Sequence, residues 1–205
     1  MINKTAIFST AYFPSIQYFF EISKYENIII EKHENYVKQS YRNRCKILST
    51  NGVQTLSIPV KKISGKKILI TDTQIDYTEN WQQVHYKSIA TAYQKSPFYE
   101  FFIDAFDKFF TKKYKFLFDF NTEILETLLA ELEIDKKISF TEKYEIQILN
   151  YNDFRNSIHP KNKFDKNFSG KKYTQVFSNK FNFAGNLSIL DLLFNEGTNV
   201  YNFIQ

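Results

Sequence analysis

Apolar residues come in short runs over the first third of the chain and at helical spacing over much of the rest. "TAIFSTAYF", residues 5–13, reads as a short buried strand that runs into a turn at Pro14. Ile16, Phe19, Phe20 and Ile22 then recur at roughly helical spacing. "NIIIEKHENY" starts with three β-branched residues, a strand signal, and ends in polar ones, so His33 to Tyr36 fall at or just past a strand's end. Leu56, Ile58 and Val60 share one face of a period-2 pattern, and Pro59 marks an edge strand or a strand end. "SGKK" predicts a turn and "ILITDTQID" a further strand. Residues 46–76 therefore predict a strand-rich region with a hairpin between Val60 and Ile68.

The period then lengthens. Trp81, Val84, His85, Ser88, Ile89 and Ala92 fall on one helical face, and Phe98, Phe101, Phe102, Ala105, Phe106 and Phe109 form a wide aromatic stripe on a second helix. Ser96 is its expected N-cap and Pro97 its first turn. Ile124, Leu125, Leu128, Leu129 and Leu132 mark a third helix, started by Asp119 or Asn121. "KISFTEKYE" predicts a short strand, and the polar, basic, aromatic stretch up to about residue 180 an ordered loop or flap. "NLSILDLLFNEG" predicts a final helix, with Ser188 and Asp191 spaced as a capping box and Gly197 as its stop. The expectation is an α/β fold in a single domain. Its N-terminal strand-rich region with a mixed sheet covers residues 1–76, and a mainly helical half covers 77–205 with a loop at 150–180.

Composition narrows the class. The chain of 205 residues holds 22 Phe and 14 Tyr against 5 Gly and 4 Pro, which argues against disorder. The net charge of +5 is unevenly spread: +7 over residues 1–70, −5 over 71–150 and +3 over 151–205. Basic outer segments can steer an anionic ligand; a solvated mixed surface explains the same numbers. A single cysteine excludes an intrachain disulfide. No run reaches the roughly 18 apolar residues of a membrane span, and the first twenty residues lack a basic leader start, so a cytoplasmic location is expected.

The rare residues carry the candidate chemistry. Arginine occurs three times against 24 lysines, and two of the three, Arg42 and Arg44, stand one residue apart in "HENYVKQSYRNRC". On an extended segment they share a face, and two guanidinium forks suit a phosphate or carboxylate as lysine cannot. An ion pair with the acidic middle segment is the structural alternative. His33 is a candidate acid or base at a strand end, with Glu34 beside it and Asn35 able to meet a ligand hydroxyl. His85 sits on an apolar helical face, where a histidine is ordinarily part of the core; Asp76 or Glu79 could orient it for chemistry. His159, extended before Pro160, lies near Lys161 and Lys163 and could complete an anion site. The three histidines lack metal-ligand spacing, and Cys45 begins an apolar "CKIL" that reads as core. No glycine-rich phosphate loop or nucleophile elbow is present.

The ordered strings "STAYFPSIQYF", "IEKHENYVKQSYRNRCKI", "LSIPV", "IDYTENWQQVHYKSI", "YQKSPFYEFF", "IHPK", "YTQVF" and "NLSILDLLFNEG" resemble the WbqC-like protein family, in its Bacteroidetes-type branch, over essentially the whole chain. Other branches carry a histidine before the "YFP". Here Phe8, Ser9 and Thr10 stand there, so either this branch differs at that position or His33 replaces it. The resemblance implies an enzyme of surface-polysaccharide biosynthesis that transfers an acyl, aminoacyl or related group to a nucleotide-linked or lipid-linked sugar. On that reading His33 or His85 takes the proton, and Glu34 or Asp76 orients it. Arg42 and Arg44 hold phosphate with Lys161 assisting, Tyr12, Asn35 and Trp81 line the sugar, and Asn43 and His159 are further substrate-binding candidates. No cofactor is identified beyond a nucleotide-sugar or acyl/aminoacyl donor, and no metal site is assigned. A non-catalytic adaptor with "YRNRC" as an ion-pair knot is the alternative. Nucleic-acid binding is less supported, since the aromatics fall at core spacing.

Overall fold

The computed structural model describes residues 4–61, 67–162, 168 and 170–204. Four strands form a parallel sheet: β1 (Thr5–Ser9), β2 (Asn27–Glu31), β5 (Ile138–Phe140) and β6 (Asn152–Asp153), in the order β5-β2-β1-β6. β3 (Arg44–Ser49) and β4 (Gly52–Ser57) make a separate antiparallel hairpin. The helices are α1 (Ile16–Ser23), α2 (Trp81–Tyr93), α3 (Tyr99–Thr111), α4 (Leu117–Glu131), α5 (Ile189–Glu196) and α6 (Tyr201–Ile204). The fold is α/β, strand-rich at its N-terminal end and helical in its C-terminal half. Parallel and antiparallel pairings both occur, in two sheets rather than one.

The βαβ unit follows from the apolar pattern. α1 carries β1 back to lie beside β2, with Thr5 opposite Asn27 and Ser9 opposite Glu31. Partners in a parallel pair point to the same face. Ala6, Phe8, Ile28 and Ile30 therefore share one face and are at most 2% exposed. Phe8 packs its ring against Tyr18 of α1 and stacks on Phe154. The other face carries Ile7 and Ile29 and ends in Ser9 and Glu31. One hydrophobic cluster runs from these strands through the helices to Leu193 and Ile204.

Several local expectations change. Residues 68–76 are no continuous strand: Ile70–Asp72 is a 3₁₀ turn. The backbone groups around it find partners in separate segments, with Ile70 N–H donating to Glu34 C=O and Ile75 N–H to Lys115 C=O. The turn proposed between Val60 and Ile68 falls largely on residues outside the described ones. The hairpin that does form turns at Thr50-Asn51, and Gly52 follows at φ +98°, which a side chain would resist. α3 begins at Tyr99, so Ser96 is not its cap; its hydroxyl donates to Tyr93 C=O. The buried face of α3 is Tyr99, Ile103, Phe106 and Phe109, leaving Phe101 78% exposed. α4 starts at Leu117, and Asn121 faces inward to donate to Arg42 C=O. Ser188 does cap α5, accepting from Leu190 N–H, but Asp191 turns away from it.

Candidate functional site

The carboxyl ends of the parallel strands are where open α/β sheets place ligands, at the point where strand order reverses. Here β2 and β5 lie to one side of β1 and β6 to the other, so the reversal falls between β1 and β6. A network of buried charges fills that end. Arg42 Nε donates to Glu34 Oε1 at 2.7 Å and its Nη2 to Glu34 Oε2 at 2.5 Å, a bidentate pair. Nη2 also donates to Ser9 Oγ at 2.7 Å. Ser9 Oγ lies 2.8 Å from the Arg155 carbonyl oxygen and 3.1 Å from Glu34 Oε2, with one proton to give.

Arg155 forms the second half. Its Nε and Nη2 donate to the two oxygens of Asp153, at 2.9 and 2.7 Å, and its Nη1 to Glu31 Oε2 at 3.0 Å. Glu31 Oε1 accepts from the His33 N–H and from the Thr141 hydroxyl. Glu31, Glu34, Arg42 and Arg155 are each at most 5% exposed. Burial by itself would raise the Asp153 carboxyl, but the hydrogen bonds and charge of Arg155 outweigh it and hold that carboxyl below its ordinary range. Those same Asp153 hydrogen bonds push the Arg155 guanidinium up. Ions removed from water in this way are tolerated when paired and hydrogen-bonded, and each of these is paired.

Two nitrogens at the margin of the network are different. His33 Nε2 and Arg44 Nε are buried with no hydrogen-bond partner among the described residues. Arg44 lies near Tyr36, where burial raises the phenol and the charges of Arg44 and Arg42 oppose that rise. His159 stands where burial and the charges of Arg42 and Lys161 together lower its basicity. Its Nδ1 accepts from the Lys161 N–H, so the side chain is held by its own turn. Lys46 reaches the Pro160 carbonyl at 3.5 Å, tying β3 to that turn.

Two openings border the network. A crevice of about 10 Å³, room for about one water, lies at the strand reversal among Ser9, Thr10, Tyr18, Tyr41, Arg42 and Ile158. A cleft of about 360 Å³ lies on the Ile7–Ile29 face of the sheet, under residues 140–151, with Glu31 and Thr141 in its wall.

The WbqC-like family model matches residues 10–202. The chain belongs to the WbqC-like protein family. It is also 25% identical over 146 residues to an uncharacterized protein of Mycobacterium tuberculosis (strain H37Rv), a match that covers 71% of this chain and 63% of that relative. The chain thus spans under two thirds of that curated relative's length. No solved structure matches it.

Within this WbqC-like chain the sequence candidates separate into three places. Glu34 and Arg42 lie in the network, His33 borders it through its N–H on Glu31 Oε1, His159 shares a turn with Lys161 within electrostatic reach of Arg42, and Arg44 lies near Tyr36. Tyr12, Trp81 and His85 do not join them, because they lie in the aromatic core at 4% exposure or less. The Tyr12 hydroxyl and His85 Nδ1 are 2.9 Å apart, and Trp81 and Phe120 pack around them. Burial lowers His85 to about 4 against a weaker opposing hydrogen bond with the Ser57 backbone, so the ring is neutral at pH 7. Asn43 is also inward, its amide donating to the Ile58 carbonyl. Asp76 is the third place: it bonds Thr78, and nothing in the structure brings it to His85. Asn35 is exposed. Lys163 lies outside the described residues. Cys45 is 1% exposed, and burial raises its thiol well above the ordinary value.

The Arg42 fork points at Glu34, eight residues away in its own segment, and not at a free anion site. Sequence reasoning passed over Ser9, Glu31, Asp153 and Arg155. One signal was available, since Arg155 is the third of three arginines and stands two residues after Asp153 in "NDFR".

Proposed function

We propose that this WbqC-like chain is a transferase of surface-polysaccharide assembly, acting on a phosphorylated or nucleotide-linked sugar at the carboxyl edge of its parallel sheet. The observation that carries the reading is the pair of buried, unpartnered nitrogens, His33 Nε2 and Arg44 Nε, beside a network in which the other charges are paired. Buried polar nitrogens without partners are uncommon, and beside a strand-end network they suit an occupant. On this reading the Arg44 guanidinium, assisted by Lys161 and His159, holds phosphate. His33 Nε2 takes the proton from the attacking hydroxyl or amine as the nucleophile bonds to the transferred group, and the bond from that group to its donor carrier breaks, the carrier leaving with the electron pair. Glu31 is a positioning residue, fixing the His33 backbone. The Arg42–Glu34 pair supports the floor through Ser9 and leaves anion binding to Arg44. The 360 Å³ cleft, with apolar Ile7 and Ile29 and polar Thr141, has the mixed wall that suits a sugar ring. The donor is a nucleotide sugar or an acyl or aminoacyl carrier.

Titration with UDP- and TDP-sugars tests the reading. Arg44→Lys is expected to weaken binding about tenfold by losing the fork geometry. His33→Asn is expected to abolish transfer while retaining binding. Equal affinity of wild type and Arg44→Lys would remove the phosphate assignment.

The second reading is the adaptor, and one observation favours it: Arg42 is sealed against Glu34 with a crevice of only about 10 Å³ beside it. An ion-pair knot built from both arginines would require Arg44 to be paired as well. Among the described residues it has no ion-pair partner.

A further inference from the structure

Lysine is concentrated in one stretch of the otherwise acidic middle of the chain: Lys108, Lys112, Lys113 and Lys115 fall within eight residues. Two of them face Glu123, which pairs with Lys108 at 3.0 Å and lies 3.9 Å from Lys112. Lys113 and Lys115 have no ion-pair partner among the described residues. Together with Lys61 they line an open cleft of about 540 Å³.

Three segments distant in sequence build this cleft side by side. Lys61 N–H donates to Gln74 C=O at 2.9 Å, and Ile75 N–H donates to Lys115 C=O at 3.0 Å. The bridges Val60–Ile75 and Gln74–Phe116 continue the pairing. The Tyr77 hydroxyl accepts from Tyr114 N–H at 2.9 Å and donates to Tyr114 C=O at 3.0 Å, which fixes the wall. The Lys113 ammonium stands 5.5 Å from the Tyr77 ring centre. Asp76 is the one carboxylate among the described lining residues. Its Oδ1 accepts from the Thr78 hydroxyl and N–H, and these bonds, more than the Lys61 charge, hold its pKa down. Three ammonium groups against one carboxylate leave the cleft positive, and a concave wall of one sign concentrates counter-ions.

We propose that this cleft binds a multivalent anion, a diphosphate group or an acidic glycan, on Lys61, Lys113 and Lys115. The site shares no lining residue with the network at the strand ends and does not rest on the transferase reading. Lysine suits it because its ammonium is a rotatable point charge, adaptable to a chain of anions, where a fixed arginine fork selects one geometry.

The test is titration of the full ¹⁵N-labelled chain with pyrophosphate and, separately, with trigalacturonate, at about 50 and about 300 mM salt, where screening differs strongly. At least one probe is expected to give saturable shifts at the amides of Gln74, Asp76, Lys113 and Lys115, weakening with salt. Which probe does so assigns the source of the anion. Lys113→Glu with Lys115→Glu is expected to weaken binding at least about tenfold, and Lys113→Gln with Lys115→Gln severalfold. Lys87→Glu, on another face, is expected to bind as wild type. The proposal is overturned if neither probe shifts those amides, or if both double variants bind as wild type.

Discussion

Glu34 and Arg42 are each costly alone and acceptable together. Removing one partner leaves a buried charge without compensation, and Glu34→Gln is expected to destabilise the fold by about 3 kcal/mol. The double change Glu34→Gln with Arg42→Met is expected to recover part of that loss; urea unfolding of the cycle measures it. His85 acts through pH. Its folded pKa, about 4, is below the ordinary 6.5, with burial the main cause. The native ring therefore binds a proton less readily than the unfolded one. The resulting stability is full above about pH 6.5 and is lost as pH falls towards 4, a difference of roughly 3 kcal/mol. His85→Gln should flatten that part of the stability curve, and NMR should show the wild-type ring still neutral at pH 6. Asp191 has the opposite sign. Burial raises it, against hydrogen bonds from Tyr173 and Gln175. The native state holds that proton more firmly, so its contribution is lost as pH rises through the folded pKa. Asp191→Asn is expected to gain stability relative to wild type with increasing pH, read from unfolding midpoints across the acid range.

At the scale of elements, α5 shows how a helix end can be specified twice. Gly197 takes φ +60° and ψ −137° at its C-terminus, a conformation L-residues resist. A Cβ there would also stand 2.8 Å from the Phe98 ring. Gly197→Ala is therefore expected to lower stability by about 2–3 kcal/mol, seen as a drop of several degrees in Tm. That stop was legible in the sequence because glycine after a helical apolar period has a local cause. The helix itself was equally clear, as were α2, α4 and the β1-α1-β2 unit. Elements whose partners are distant were not. Residues 68–76 have strand composition, yet their long-range backbone hydrogen bonds go to residues 34, 36, 59, 61, 115 and 117, and no local pattern encodes that. The β3–β4 hairpin is half legible: its strands show as apolar stretches, while its turn at Asn51-Gly52 carries only a short local signal.

At the scale of the whole molecule, one cluster of buried residues joins β1 and β2 to α4 and α5. Arg155 ties residues 153–155 to Glu31 across 124 positions. We therefore expect a single cooperative unfolding transition, with the fluorescence of Trp81, the sole tryptophan, and far-UV circular dichroism tracing coincident curves in urea. Separated curves would show two units. The sequence by itself determined the class of fold and most of the helices, because apolar period and strand ends are local properties. It also picked out Arg42 and Arg44. Only the tertiary structure decided their partners. It turned Arg42 onto Glu34, left Arg44 and His33 each with a nitrogen unpartnered among the described residues, brought in Ser9, Glu31, Asp153 and Arg155, and drew Tyr12, Trp81 and His85 into the core. The physical reason is that a charge or a ring is chosen by what surrounds it after burial. Those surroundings come from strands and loops more than a hundred residues apart, which meet only when the parallel sheet forms.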